Sequence, residues 1–212
     1  MNAVPPFSIL VVCTGNVCRS PAAERLLRRR LGPTVTVESA GTFGLVGEPI
    51  AAPMAELLVA RGVDIDGFAA RRLSTVLIQQ ADLALAVTRA HRSLVVEAWP
   101  KAVRRTFTLR EFARLLSGID RVALPAGTPA DRLRVSIPLA AAQRGRRRVP
   151  SSEDDVLDPY RQPRHVYEAS LAQILPAVDT IAQVAIGAAG HESTSAEPPR
   201  SMTNTASETD SD

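Results

Sequence analysis

Ile9-Leu10-Val11-Val12-Cys13-Thr14-Gly15-Asn16-Val17-Cys18-Arg19-Ser20-Pro21-Ala22-Ala23-Glu24 is an apolar strand that runs into a short loop and then a helix. The apolar run ends on Cys13, at the carboxyl end of a buried strand, where open α/β sheets place their ligands. Pro21 has no N–H to lose and suits the first turn of a helix, so the amides before it are left to point into the loop. Gly15 is expected to supply the tight curvature that turns them inward, and the helix dipole adds positive potential at the same place. The stretch predicts a cup of donors shaped for a phosphate, with Thr14, Gly15, Asn16, Val17, Cys18, Arg19 and Ser20 as its binding residues.

Two side chains would make that cup reactive. Arg19 can fold its planar fork over the loop and hold two phosphate oxygens at once. A cysteine at a helix N-terminus beside an arginine is favoured as the thiolate, and the thiolate is the nucleophile. Ser20 can donate a hydrogen bond to that sulfur, steadying the anion and improving it as a leaving group. A buried cysteine followed by an ordinary strand-to-helix turn would account for Cys13 but not for its neighbours.

The string from Val12 to Glu24 resembles the active-site signature of the low-molecular-weight protein tyrosine phosphatases, of the bacterial type. The resemblance implies a phosphatase I-like α/β fold: a four-stranded parallel sheet in the order 2-1-3-4 with helices on both faces, in three layers. Ser39-Ala40-Gly41-Thr42 is a second family mark. Asp158-Pro159-Tyr160 matches the general-acid loop, placed before the last helix as in the family, and makes Cys13, Arg19 and Asp158 the catalytic set. Tyr160 would either form a wall beside a substrate ring or pack against the loop. The segment Phe43–Pro49 lacks the Trp or Tyr of many eukaryotic members and looks like that of the bacterial polysaccharide-associated ones. Many members carry a His where this chain has Phe68, hydrogen-bonded with the loop Asn and the Ser of the Ser-Ala-Gly mark. Asn16 and Ser39 remain here, so the loop is expected to form with altered support. For Cys18 two readings stand: a small residue packed under the loop or, as the resemblance implies, a partner that traps oxidised Cys13 as a disulfide.

The 212 residues suit one domain, 1–186, with a tail from Gly187 onward whose Ser/Thr-rich acidic composition predicts disorder. Formal charge is +3 overall; the last 26 residues carry five acids against Arg200, a net −4, which leaves about +7 on the rest. Such a surplus attracts anions without choosing among nucleic acid, membrane and phosphoprotein. No apolar run reaches a membrane span and no signal peptide is apparent, so a cytoplasmic protein is expected. The only cysteines, Cys13 and Cys18, both lie in the loop, which argues against a disulfide framework.

Alternation of strands and helices predicts a parallel, doubly wound sheet. Strands are expected over 8–13, 34–38, 82–87 and 105–109, and helices over 22–31, 51–61, 89–99, 110–116 and 165–186, the last bent near Pro176. His91 reads as an exposed helix residue and Arg25 and Arg28 to Arg30 as a solvated face. Between Ser117 and Ser152 an insertion is expected, with one possible helix over 129–143 and a flexible basic loop at Arg144 and Arg146 to Arg148. No aromatics interleave those arginines for nucleic acid. Asp154 and Asp155 read as solvated acids, either one a substitute should Asp158 prove dispensable.

The implied reaction is hydrolysis of phosphotyrosine through a cysteinyl-phosphate, with no cofactor and no metal. Implied partners are phosphotyrosine-containing proteins, a bacterial tyrosine kinase among them, with no nucleic acid and no membrane insertion. Two rivals remain: an arsenate reductase of the same fold, which would need further cysteines, and a non-catalytic phosphotyrosine-binding module.

Overall fold

Strand β1, Phe7–Cys13, lies between two parallel neighbours, β2 (Val35–Gly41) and β3 (Leu83–Ala86), with β4 (Thr106–Thr108) beyond β3. The sheet is parallel throughout with the order β2-β1-β3-β4, as expected; Val11 aligns with Ser39 on one side and Leu85 on the other. The structure is a computed structural model and describes residues 6–145 and 149–187. The tail beyond Gly187 and Arg146 to Arg148 lie outside the described residues.

The helices are α1 (Arg19–Leu31), α2 (Ala52–Val59), α3 (Thr75–Gln80), α4 (Arg89–Ala98), α5 (Leu109–Leu116), α6 (Pro129–Gln143), the single turn α7 (Ser151–Asp154) and α8 (Arg164–Ile186). Successive strand residues face opposite sides. Phe7, Ile9, Val11 and Cys13 therefore join the larger core with residues of α1, α2, α5, α6 and α8, while Leu10 and Val12 join a smaller one with Ile78 of α3 and Val95 of α4. Cys13 shares its parity with the residues under α1, so its sulfur emerges where that helix begins.

Several boundaries differ from those expected. Helix α1 starts at Arg19 rather than Ala22, because Ser20 and Pro21 already occupy its first turn. Strand β2 continues through Ser39-Ala40-Gly41, which brings the second family mark level with Cys13. The fourth strand is shorter, and a 3₁₀ turn, Pro100–Arg105, takes its start. Helix α8 is long and apolar enough to cross a membrane by length and composition, yet half of that stretch is buried and it packs on α1, α5 and α6.

Within the segment 117–152 the helix expected over 129–143 is present as α6, opened by a reciprocal capping box between Thr128 and Asp131. Arg144 corrects the flexible-loop reading: its guanidinium lies 4.0 Å from the Phe107 ring centroid, and its Nε is 2.7 Å from Glu111. An aromatic face and a mostly buried carboxylate give the cation a fixed site that composition does not reveal.

Candidate active site

The loop between β1 and α1 is held by its carbonyls. The Thr42 amide donates to the Cys13 carbonyl (2.9 Å), Phe43 to Thr14 (2.9 Å), Leu45 to Gly15 (3.0 Å) and Ala51 to Val17 (2.8 Å). With those oxygens drawn outward, the amides of Gly15, Val17 and Cys18 donate to no acceptor among the described residues. The Asn16 amide reaches the Cys13 Sγ at 3.2 Å. Such close nesting explains Gly41, where a Cβ would come within 2.4 Å of the Thr14 carbonyl oxygen.

The tight curvature expected at Gly15 falls instead on Asn16, the loop's left-handed residue (φ 59°). Gly15 has no positive φ, and a Cβ there would meet Val17 at an ordinary 3.5 Å. Asn16 tolerates the conformation because its side chain is fully engaged. Its Nδ2 donates to Ser20 Oγ (2.9 Å) and Ser39 Oγ (2.7 Å), and its Oδ1 accepts from the Arg71 amide (2.9 Å). Ser39 in turn donates to the buried Glu24 Oε2 at 2.5 Å. Ser20 Oγ stands 2.9 Å from the Cys13 Sγ, and since it accepts from Asn16 its proton is available to the sulfur. The altered support expected from Phe68 thus has a definite form: Glu24 and Arg71 hold Asn16 and Ser39, while Phe68 lies under the Arg25 guanidinium, 5.6 Å away. Neither Glu24 nor Arg71 was assigned a role from sequence, although Glu24 closes the signature string.

Arg19 is buried beside the cup. Its Nη2 pairs with Asp158 Oδ2 at 2.7 Å, Nη1 donates to the Val156 carbonyl at 3.4 Å, and Nε makes no hydrogen bond among the described residues. Asp158 itself is exposed, above a buried Pro159. A cavity of about 260 Å³ joins Cys13, Thr14, Gly15, Val17, Cys18 and Arg19 to Asp158 and Tyr160. Two more of its walls, Phe43 and Leu45, were missed, because a loop side chain becomes a wall only through tertiary placement. Asn16 and Ser20 lie behind the cup, supporting it. Tyr160, partly exposed, is among the residues that line this cavity.

The acids preceding Asp158 are not solvated as expected. Asp154 is buried and salt-bridged to Arg89 (2.8 Å) and Arg114 (3.0 Å), and Asp155 accepts the Arg89 amide at 2.7 Å. With the Val156 amide on the Val87 carbonyl (2.9 Å), they anchor the segment that carries Asp158.

His91 also departs from its expected exposure. It is buried between the hydroxyls of Thr88 (2.6 Å to Nδ1) and Thr14 (2.8 Å to Nε2). Burial, and then the nearby Arg19 charge, push it down to about 4 from its ordinary 6.5, so at neutral pH it is an uncharged bridge between the loop and α4. Cys18 is buried, and burial followed by its closeness to Cys13 pushes its thiol up to about 12. Cys18 is therefore a thiol, not a second nucleophile.

A sequence model described as low molecular weight phosphotyrosine protein phosphatase matches residues 8–122. The Escherichia coli low molecular weight protein-tyrosine-phosphatase Etp is 46% identical over 99 residues, 47% of this chain; the match spans 66% of Etp, just under two thirds. A protein-arginine-phosphatase from Geobacillus stearothermophilus is 39% identical over 130 residues, 59% of this chain and 83% of its own. Among solved structures, the YwlE arginine phosphatase from that organism aligns with TM-score 0.62 at 30% identity, covering 84% of this chain and 92% of its own. Vibrio vulnificus Wzb in complex with benzylphosphonate aligns with TM-score 0.62 at 26% identity, covering 84% and 99%. A cysteine ringed by amides on a 2-1-3-4 sheet and a matched segment covering more than half the sequence lead to one conclusion: the chain belongs to the low molecular weight phosphotyrosine protein phosphatase family.

Proposed function

We propose that this protein hydrolyses phosphotyrosine in proteins through a cysteinyl-phosphate. The observation that carries the reading is Asp158, 139 positions beyond Arg19 in sequence, with its carboxylate 2.7 Å from the guanidinium that borders the Cys13 cup. An incoming phosphate dianion takes the loop amides and the Arg19 Nε as donors and displaces the Asp158 carboxylate from Arg19; freed from that cation and set beside the dianion, Asp158 takes up a proton from solvent. Cys13 attacks phosphorus in line while Asp158 protonates the departing phenolic oxygen. Asp158, now ionised, then activates the water that hydrolyses the intermediate, and Ser20 supports the departing sulfur. The walls Phe43, Leu45 and Tyr160 suit an aromatic leaving group.

The arginine phosphatase relative favours a second reading, hydrolysis of phosphoarginine. Among the described residues Asp158 is the one acid lining the cavity, and its other walls are largely apolar, which favours an aryl group over a guanidinium there. The reductase reading lacks a third cysteine.

The test is turnover of phosphotyrosine and phosphoarginine peptides by the wild type, Cys13→Ser, Arg19→Ala and Asp158→Ala. Cys13→Ser should abolish turnover and keep phosphate binding; Arg19→Ala should lose both. Asp158→Ala should slow aryl esters with basic leaving groups by about 10²–10⁴-fold and spare those whose leaving group needs no proton. Equal loss on both ester types removes Asp158 from the acid role, and faster turnover of phosphoarginine transfers the assignment to that substrate.

A further inference from the structure

We propose that the arginine-lined cavity between α4, α5 and the C-terminal end of α6 is a binding site for a small oligophosphate anion. The cavity, about 440 Å³, is separate from the Cys13 cup and is lined by Arg89, Arg92, Arg114 and Arg144 with only two carboxylates, Glu111 and Asp154. Each carboxylate is already shared between two guanidiniums. Glu111 lies 2.7 Å from Arg144 and 4.0 Å from Arg92; Asp154 lies 2.8 Å from Arg89 and 3.0 Å from Arg114. Among the described lining residues four guanidiniums face two carboxylates in a concave, partly desolvated space, where an anion is bound more strongly than on open surface.

Arg92 is where the shortage is felt. Its Nε donates to the Thr106 carbonyl (3.2 Å), but its two Nη groups make no hydrogen bond among the described residues. Burial first, then the Arg144 charge, push its guanidinium below the usual arginine range, the response of a cation desolvated beside another cation. Several guanidinium forks around one cavity match the several oxygens of linked phosphates. Among the described residues no exposed ring lines the cavity for a base to stack on, Phe107 being fully buried behind Arg144, so the polyphosphate moiety is what the site recognises. Part of the wall, Arg144 and Gly145, lies beyond residues 8–122, which match the family model.

Gly145 provides a test that leaves every arginine in place. It lines the cavity, has no positive φ, and a Cβ there meets nothing within 4 Å. Tripolyphosphate is titrated calorimetrically into the full-length wild type, Gly145→Glu and Gly145→Ala, each first shown to have an unchanged melting temperature. The expected result is a binding event present in the wild type and in Gly145→Ala that is weakened about tenfold or more in Gly145→Glu. The same event should persist in Arg19→Ala, which separates it from phosphate held in the Cys13 cup. A wild type whose only event disappears in Arg19→Ala, or an affinity indifferent to Gly145→Glu, overturns the proposal and leaves the arginines as structural ion pairs.

Discussion

Asn16 keeps a left-handed backbone because Ser20, Ser39 and the Arg71 amide occupy its side chain on three sides. Asn16→Ala would leave those buried partners unsatisfied and keep the unfavourable φ, a combined cost of about 3 kcal/mol. Gly15→Ala should leave the melting temperature and turnover nearly unchanged, because its Cβ has ordinary room. A thermal melt of both variants checks the pair, and a Gly15→Ala protein as unstable as Asn16→Ala would return the bend to the glycine. His91 gives a pH signature. Its folded value of about 4 lies below its ordinary 6.5, so the unfolded chain binds more protons between those values. Stability is therefore full above pH 6.5 and falls as the pH drops toward 4, by up to about 3 kcal/mol from this group. Denaturant titrations from pH 7 to 4 should show a shallower decline in His91→Gln than in the wild type.

The segment Asp154–Asp158 brings its last carboxylate to Arg19 at the edge of the loop. Its position depends on one buried carboxylate held by Arg89 and Arg114, with the Val156 amide tied to Val87 at the end of β3. Asp154→Asn removes the charge from that clamp and leaves two guanidiniums facing a neutral amide. The expected outcome is a roughly tenfold lower kcat on aryl esters that need a proton from Asp158. A smaller loss is expected on esters with activated leaving groups. Equal losses on both would mean that Asp154 acts on the fold as a whole and not on the acid. Local chemistry made the start of α4 legible in advance, while the capping boxes of α5 and α6 were seen only in the structure. Thr88 accepts the His91 amide at the start of α4, and the boxes Thr108/Glu111 and Thr128/Asp131 open α5 and α6. The short α7 and the 3₁₀ turn have no such periodicity and were not foreseen.

The whole molecule carries a cationic surplus, +3 formally and about +7 before the acidic tail is counted. An arginine-rich protein that takes a dianion should draw its substrate over distances longer than any contact. Raising ionic strength from about 20 to about 200 mM should lower kcat/KM for an aryl phosphate several-fold while leaving kcat unchanged, because screening acts on encounter and not on the enclosed chemistry. A kcat that falls in parallel would place the salt effect inside the site. The two cores flank a single sheet, so β1 is covered on both faces and its C-terminal end is held rigid at the point where Cys13 meets the loop.

The apolar run of β1, the placement of Cys13 and Arg19 around a loop, and the alternation that demands a parallel sheet are short-range properties, and they were readable from neighbouring residues. Asp-Pro-Tyr at 158–160 was readable only beside that signature, since alone it is a turn. The environments of His91, Asp154 and Arg144 were not readable. Each is a polar residue on a segment whose composition suggests solvent, and each is buried or held by groups distant in the chain: Thr14, Arg114 and Phe107. Polarity predicts exposure only where no partner waits, and partners separated by dozens of residues meet only once the sheet and its crossovers have formed.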